Sequence, residues 1–115
     1  MAEENSALTW NEFMRVEMRV GTILSAEVFE EARNPAYKIT IDFGPLGQRK
    51  TSAQVTKLYS PEEIIGKQVI AVVNFPPKQI ANIMSECLLL GAMGDAKEVT
   101  LIEPERAVPN GTRIG

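Results

Sequence analysis

Ser60-Pro61-Glu62-Glu63-Ile64-Ile65-Gly66-Lys67-Gln68-Val69-Ile70-Ala71-Val72-Val73-Asn74 sets a short helix directly ahead of a buried strand. Ser60 stands at an N-cap, Pro61 at the first helical position, Glu63 closes a capping box and Gly66 follows at C′. From Lys67 to Asn74 the residues form a nearly continuous apolar run, which then meets Pro76 and Pro77. Neither proline has an N–H to give a ladder and each fixes φ near −65°, so the strand stops at Phe75.

Three strands are expected before this helix. Tyr37, Ile39, Ile41 and Phe43 alternate with Lys38, Thr40 and Asp42, the period of a strand with one face buried and one wet. Gly44-Pro45-Leu46-Gly47 is a turn, and Gln48 to Val55 returns as a polar third strand. Upstream, Val16, Met18 and Val20 alternate with Glu17 and Arg19, so the first strand runs from about Val16 to Phe29, with Gly21 marking a bulge or bend. Leu8-Thr9-Trp10-Asn11-Glu12-Phe13 carries a capping box and staple positions, which start a short N-terminal helix. After the fourth strand, Cys87 to Met93 and Val99 to Glu103 read as further strands. This mainly β order, with a helix between strands 3 and 4, matches a small Greek-key barrel of the OB type. An SH3-like barrel is a competing architecture, while an immunoglobulin-like sandwich needs about seven strands and no helix here.

The chain has 115 residues, 44% hydrophobic and 23% charged, the composition of one globular domain with a core of its own. Residues 1–8 are expected to be a flexible start and 9–115 the domain. No apolar run approaches bilayer length, and the acidic amino terminus is unlike a signal peptide, so a cytoplasmic location is expected. There is one cysteine, Cys87, and no histidine, which removes internal disulfides, the usual zinc sets and Ser-His-Asp or Cys-His catalysis. Cys87 is expected to be a buried, inert thiol, and neither enzyme activity nor a cofactor is expected. A net charge of −3, from 15 acidic and 12 basic residues, confines any nucleic-acid site to a local patch.

Val20-Gly21-Thr22-Ile23, Tyr59 to Val69, Val72-Val73-Asn74-Phe75-Pro76-Pro77-Lys78-Gln79-Ile80, and Ser85 followed by Leu88-Leu89-Leu90 resemble the tRNA-binding domain family. Within that family the chain is most similar to the CsaA group of small secretion-related chaperones. The resemblance runs from Phe13 to Gly115. It implies an OB-fold barrel, a homodimer, and either unfolded or presecretory polypeptides or tRNA as partner. Asn74 and Lys78 fall on the family's Asn-x-x-Pro-x-Lys motif and Ser85 on the serine of its Ser-x-Gly-Met motif. The chain departs from that motif at Cys87-Leu88, where the family usually has Gly-Met.

Lys78, beside two prolines, offers phosphate a charge on ordered backbone, and Asn74 and Ser85 offer neutral hydrogen bonds to phosphate or ribose. Equally, Asn74 and Ser85 serve turn backbone groups and Lys78 is solvated. Lys38, Arg49 and Lys50 are read on the wet faces of adjacent strands, as a basic stripe or as ordinary charged surface. Phe75, Ile80, Ile83 and Met84 form an apolar cluster that suits a polypeptide pocket, a dimer interface or a barrel end cap. The apolar tail from Ala107 to Gly115 is expected to pack on the barrel or on a partner.

Overall fold

The computed structural model describes residues 6–115; the start of the segment expected to be flexible, residues 1–5, lies outside the described residues. Helix α1 (Trp10–Met14) begins at Thr9, whose Oγ1 accepts from the Glu12 N–H while Glu12 Oε1 accepts from the Thr9 N–H. Strands β1 (Met18–Val28), β2 (Tyr37–Asp42) and β3 (Gln48–Ala53) follow as an antiparallel meander. Helix α2 (Pro61–Ile64) is the short turn expected after them, with Glu63 Oε1 accepting from the Ser60 N–H at 2.8 Å and Gly66 at φ +91°. Strand β4 (Gln68–Val72) is followed by a hairpin, β5 (Lys78–Ile80) and β6 (Ile83–Ser85), and then by β7 (Leu88–Leu89). A second hairpin, β8 (Gly91–Met93) with β9 (Val99–Leu101), and a last short strand β10 (Arg113–Ile114) complete the chain.

The principal sheet has the order β3-β2-β1-β4-β7, so β4 returns beside β1 and not beside β3. Closure between β7 and β3 falls to Glu86: its N–H donates to the Lys50 carbonyl at 2.8 Å and its Oε1 accepts from the Lys50 N–H at 2.9 Å. One side chain thus stands in for a missing strand partner. The result is a nearly closed, mainly β, OB-like barrel with two short helices. Its core holds Ile23, Tyr37, Ile39, Ile41, Phe43, Val55, Ile64, Val69 and Ala71, which places Tyr37 and Phe43 inward as their alternation required.

Four features differ from the sequence reading. The bulge in β1 lies at Leu24, where the register shifts between Ile23 and Ser25. Gly21 has another role: a Cβ there would sit 2.5 Å from Ile41 Cγ2 and 2.7 Å from the Phe43 ring, so the glycine lets two core side chains lie against β1. The expected strand from Cys87 to Met93 is broken at Leu90, whose N–H donates to Ile70, and its second half joins a separate hairpin with β9. Third, Lys78 to Ser85 is a regular hairpin. Its pairing was not legible because two three-residue strands are too short to show a period. Fourth, β10 was not expected as a strand.

Of the two places proposed for the tail, the barrel is the one observed. Gly111 donates to the Val20 carbonyl at 2.7 Å, Val20 donates to that of Thr112 at 2.9 Å, and β10 pairs with Met18 and Arg19. The Gln68 amide holds both the N–H and the carbonyl of Val108. These contacts fill the edge of β1 that lies beyond the end of β2.

Candidate functional site

The prolines that end β4 leave Phe75, Pro76 and Pro77 as an irregular lip, after which β5 and β6 fold back toward β3. Cross-strand register sets Lys78 opposite Ser85 and Ile80 opposite Ile83, with Gln79 and Met84 on the other face of the hairpin. Between this hairpin, the lip and β3 lies a cleft of about 540 Å³. Phe75, Pro76, Pro77, Ile80 and Leu88 supply its apolar walls, and Lys78, Ser85, Thr51, Ser52 and Gln54 its polar groups. Phe75 is 55% exposed and Leu88 48%, so the apolar walls face solvent.

The polar groups are held from below. Thr51, the buried polar residue of the core, donates from Oγ1 to the Cys87 carbonyl at 2.8 Å, and its Oγ1 lies 3.2 Å from Ser85 Oγ. Ser85 is thereby fixed at the cleft wall. Among the described residues no carboxylate pairs with Lys78, which is exposed at the end of the lip. Among the described residues the cleft therefore joins an apolar trench to several hydroxyls and a cation that no carboxylate pairs with.

Not every expected site residue arrives here. Asn74 is used as a brace: its Oδ1 accepts from the Glu17 N–H at 3.0 Å and its Nδ2 donates to the Arg15 carbonyl at 2.6 Å, tying the end of β4 to the segment after α1. Arg49 does not share a wet face with Lys50. Adjacent residues in a strand point oppositely, and Arg49, opposite the fully buried Ile41, turns inward and donates to the Val73 carbonyl at 3.0 Å. Lys38 and Lys50 do share the outer face and line a small hollow with Ile83. Lys38 lies 3.7 Å from Glu27 and 5.4 Å from the Phe29 ring centre, so much of its charge is already answered. Met84 lies on the other face of the hairpin, outside the main cleft, and Ile83, although cross-strand from Ile80, lines the small hollow with Lys38 and Lys50 and not the main cleft.

Cys87 forms part of the cleft floor at 6% exposure. Burial pushes its thiol up to about 12, against the opposing pull of the Arg49 guanidinium, while Glu86 adds to the rise and the Thr51 hydrogen bond subtracts from it. Such a thiol is neutral and poorly nucleophilic. Ser52, Gln54 and Leu88 were missed as site residues. The signal was present in the polar residues Lys50, Ser52 and Gln54 at every second position of the third strand, which mark one continuous outer face.

Among the described residues no helix is long and apolar enough to cross a membrane. The family model described as "Putative tRNA binding domain" matches residues 18–113, nearly the whole of the barrel. The crystal structure of the chaperone CsaA from Bacillus anthracis str. Ames is similar with a TM-score of 0.91 and 47% identity, covering 96% of this chain and 100% of that one. The CsaA chaperone protein from Picrophilus torridus is similar at a TM-score of 0.88 and 46% identity, over 95% of this chain and 100% of the other. A methionine–tRNA ligase from Chlorobium luteolum is 33% identical over 112 residues, 97% of this chain but 16% of that enzyme's length. The chain thus spans about a sixth of the ligase it matches, and the chain belongs to the tRNA-binding domain family.

Proposed function

We propose that the chain acts in the cytoplasm as a homodimeric, non-catalytic chaperone whose cleft holds extended segments of unfolded or presecretory polypeptide. The observation that carries this reading is the open apolar trench of Phe75, Pro76, Pro77, Ile80 and Leu88 in a cleft of about 540 Å³. Similarity to two CsaA chaperones over their entire length supports it. Leu8, Trp10 and Met14 are exposed at 70%, 82% and 50%, an apolar surface away from the cleft that a second copy would cover.

The test pairs light scattering with aggregation assays. A mass near twice 12.7 kDa and slowed aggregation of a chemically unfolded substrate at equimolar dimer are expected. Phe75→Ser with Leu88→Ser should weaken that protection several-fold without unfolding the barrel, since both side chains already face water. A mass near 12.7 kDa would remove the dimer, and failure to protect any unfolded substrate would remove the chaperone activity.

A second reading, structure-specific binding of folded tRNA through its backbone, is favoured by the placement of Lys78 opposite Ser85 at the same cleft. Retention of tRNA should fall steeply from about 50 to 200 mM salt as released counterions lose their entropic advantage, whereas apolar client binding should hold or strengthen. Unchanged tRNA affinity in Lys78→Glu would sink this reading.

A further inference from the structure

The cleft does not end at Gln54. That residue also lines a smaller hollow with Pro35, Thr56, Lys57 and Lys97, and Pro35 and Thr56 in turn line a third depression that contains Arg33 and Asn34. Shared walls make the three hollows one trough along β3 and its continuation. Ser52, Gln54 and Thr56 recur along it at every second residue, offering hydroxyls and an amide over at most about 13 Å of extended backbone.

Charge along this trough is one-sided. Lys78, Lys57, Lys97 and Arg33 are all exposed, and none makes an ion pair with a described residue, whereas Arg19, Lys38 and Arg106 are each paired with a glutamate. Among the described residues the one carboxylate lining the trough is Glu30, at its far end. Lys97 is also held unusually. It and Ala96 both have positive φ, +63° and +56°, two consecutive left-handed residues that each carry a Cβ, in the turn between β8 and β9. Such backbone is strained for a residue with a Cβ, and Lys97 lines the same hollow as Lys57.

We propose that this trough is an extended RNA-backbone track, in which Lys57 and Lys97, with Arg33 beyond them, neutralise phosphates on the strand that Lys78 and Ser85 grip first. The inference rests on the tRNA reading of the cleft and extends it to residues outside the family motif. Four exposed cations without an ion pair to a described residue call for a polyanion, and the hydroxyls and amide between them suit a sugar–phosphate backbone better than an apolar chain.

The experiment measures tRNA retention by the full chain from about 50 to 200 mM salt, for the natural protein, for Lys57→Gln with Lys97→Gly, for Lys78→Glu and for Arg106→Gln. Glycine at position 97 suits φ +63°, so charge is removed while the turn is relaxed. Each lost phosphate contact lowers the slope of log affinity against log salt by about 0.7 to 0.9. The double variant should therefore lose about 1.5 from the slope and bind roughly tenfold less tightly, with Arg106→Gln unchanged. An unaltered slope in the double variant alongside loss in Lys78→Glu would overturn the track and leave the motif site standing. Absence of tRNA retention by the natural protein would overturn both. Weaker capture of an unfolded polypeptide, with tRNA retention intact, would reassign the trough to polypeptide.

Discussion

Thr51→Val probes the seam that both closes the barrel and orients the cleft. Valine keeps the shape of threonine, so no cavity opens; what disappears is one hydroxyl, buried at 1% exposure, that donates to the Cys87 carbonyl at 2.8 Å. The carbonyl then stays buried without this donor, a loss of roughly 1–3 kcal/mol, partly offset by the added apolar methyl. A net destabilisation of about 1–2 kcal/mol is expected. For 115 residues the unfolding entropy is roughly 0.24 kcal/mol per kelvin, so the melting midpoint should fall by about 4–8 °C. Urea unfolding at one fixed protein concentration measures the change, because association would otherwise shift the midpoint. Ser85→Ala is the comparison: its hydroxyl lies 3.2 Å from Thr51 Oγ1 and donates only at 3.5 Å to the Cys87 carbonyl, at a cleft wall where water can replace it, and its loss should cost less than about 0.5 kcal/mol. The argument fails if Thr51→Val matches the natural protein within about 0.3 kcal/mol, or if Ser85→Ala costs as much.

Gly21→Ala drives a methyl into Ile41 and the Phe43 ring and should cost about 1–3 kcal/mol by overpacking, read from the same unfolding curves. Asn74→Ala removes both bonds that brace Arg15 and Glu17; hydrogen exchange at the Glu17 amide should accelerate, while the salt slope of tRNA retention stays constant. Cys87 gives a pH signature. Its thiol is raised from 9.0 to about 12 on folding, so the folded state keeps a proton that the unfolded state releases. The resulting stability is fully present below pH 9 and is lost as pH climbs toward 12. Unfolding free energy should drop by about 1.4 kcal/mol between pH 8 and 10, and Cys87→Ala should flatten that slope; an equal slope in both proteins would refute the burial assigned to the thiol. Tyr37 is raised in the same direction, which is why the comparison stops at pH 10.

The barrel was legible where burial imposes a period. Tyr37 to Phe43 alternates because one face meets the core, and the caps of both helices are local chemistry within four residues. The role of Gly21 was not legible, since it depends on Ile41 and Phe43 from the neighbouring strand, and a single sequence does not show which side chain crosses a glycine. Nor was the closure by Glu86, in which one carboxylate replaces a backbone acceptor across 36 residues. At the site, the motif spacing brought out Lys78 and Ser85. It also offered Asn74, whose amide turns out to have two backbone partners, while the basic stripe read from the wet faces of the strands included Arg49, which strand parity alone removes from the face of Lys50.

The placement of apolar and cationic groups on one hairpin limits what the two readings can mean together. Lys78 and Ile80 lie on the same face of β5, two residues apart, and both line the cleft with Phe75 and Leu88. A polypeptide seated on the trench would cover the approach to Lys78, and an RNA strand gripped at Lys78 would cross Ile80. On the two proposed readings the ligands would therefore compete for one surface and would not occupy separate faces of the barrel. Their responses to salt would be opposite, since salt weakens phosphate contacts while leaving apolar burial intact or stronger, so raising ionic strength should shift the proposed surface from RNA toward polypeptide. On the proposed track, Lys57 and Lys97 lie outside the cleft and bear on only one of the two ligands, and their replacement should bias the same surface toward polypeptide without altering the residues that line the trench.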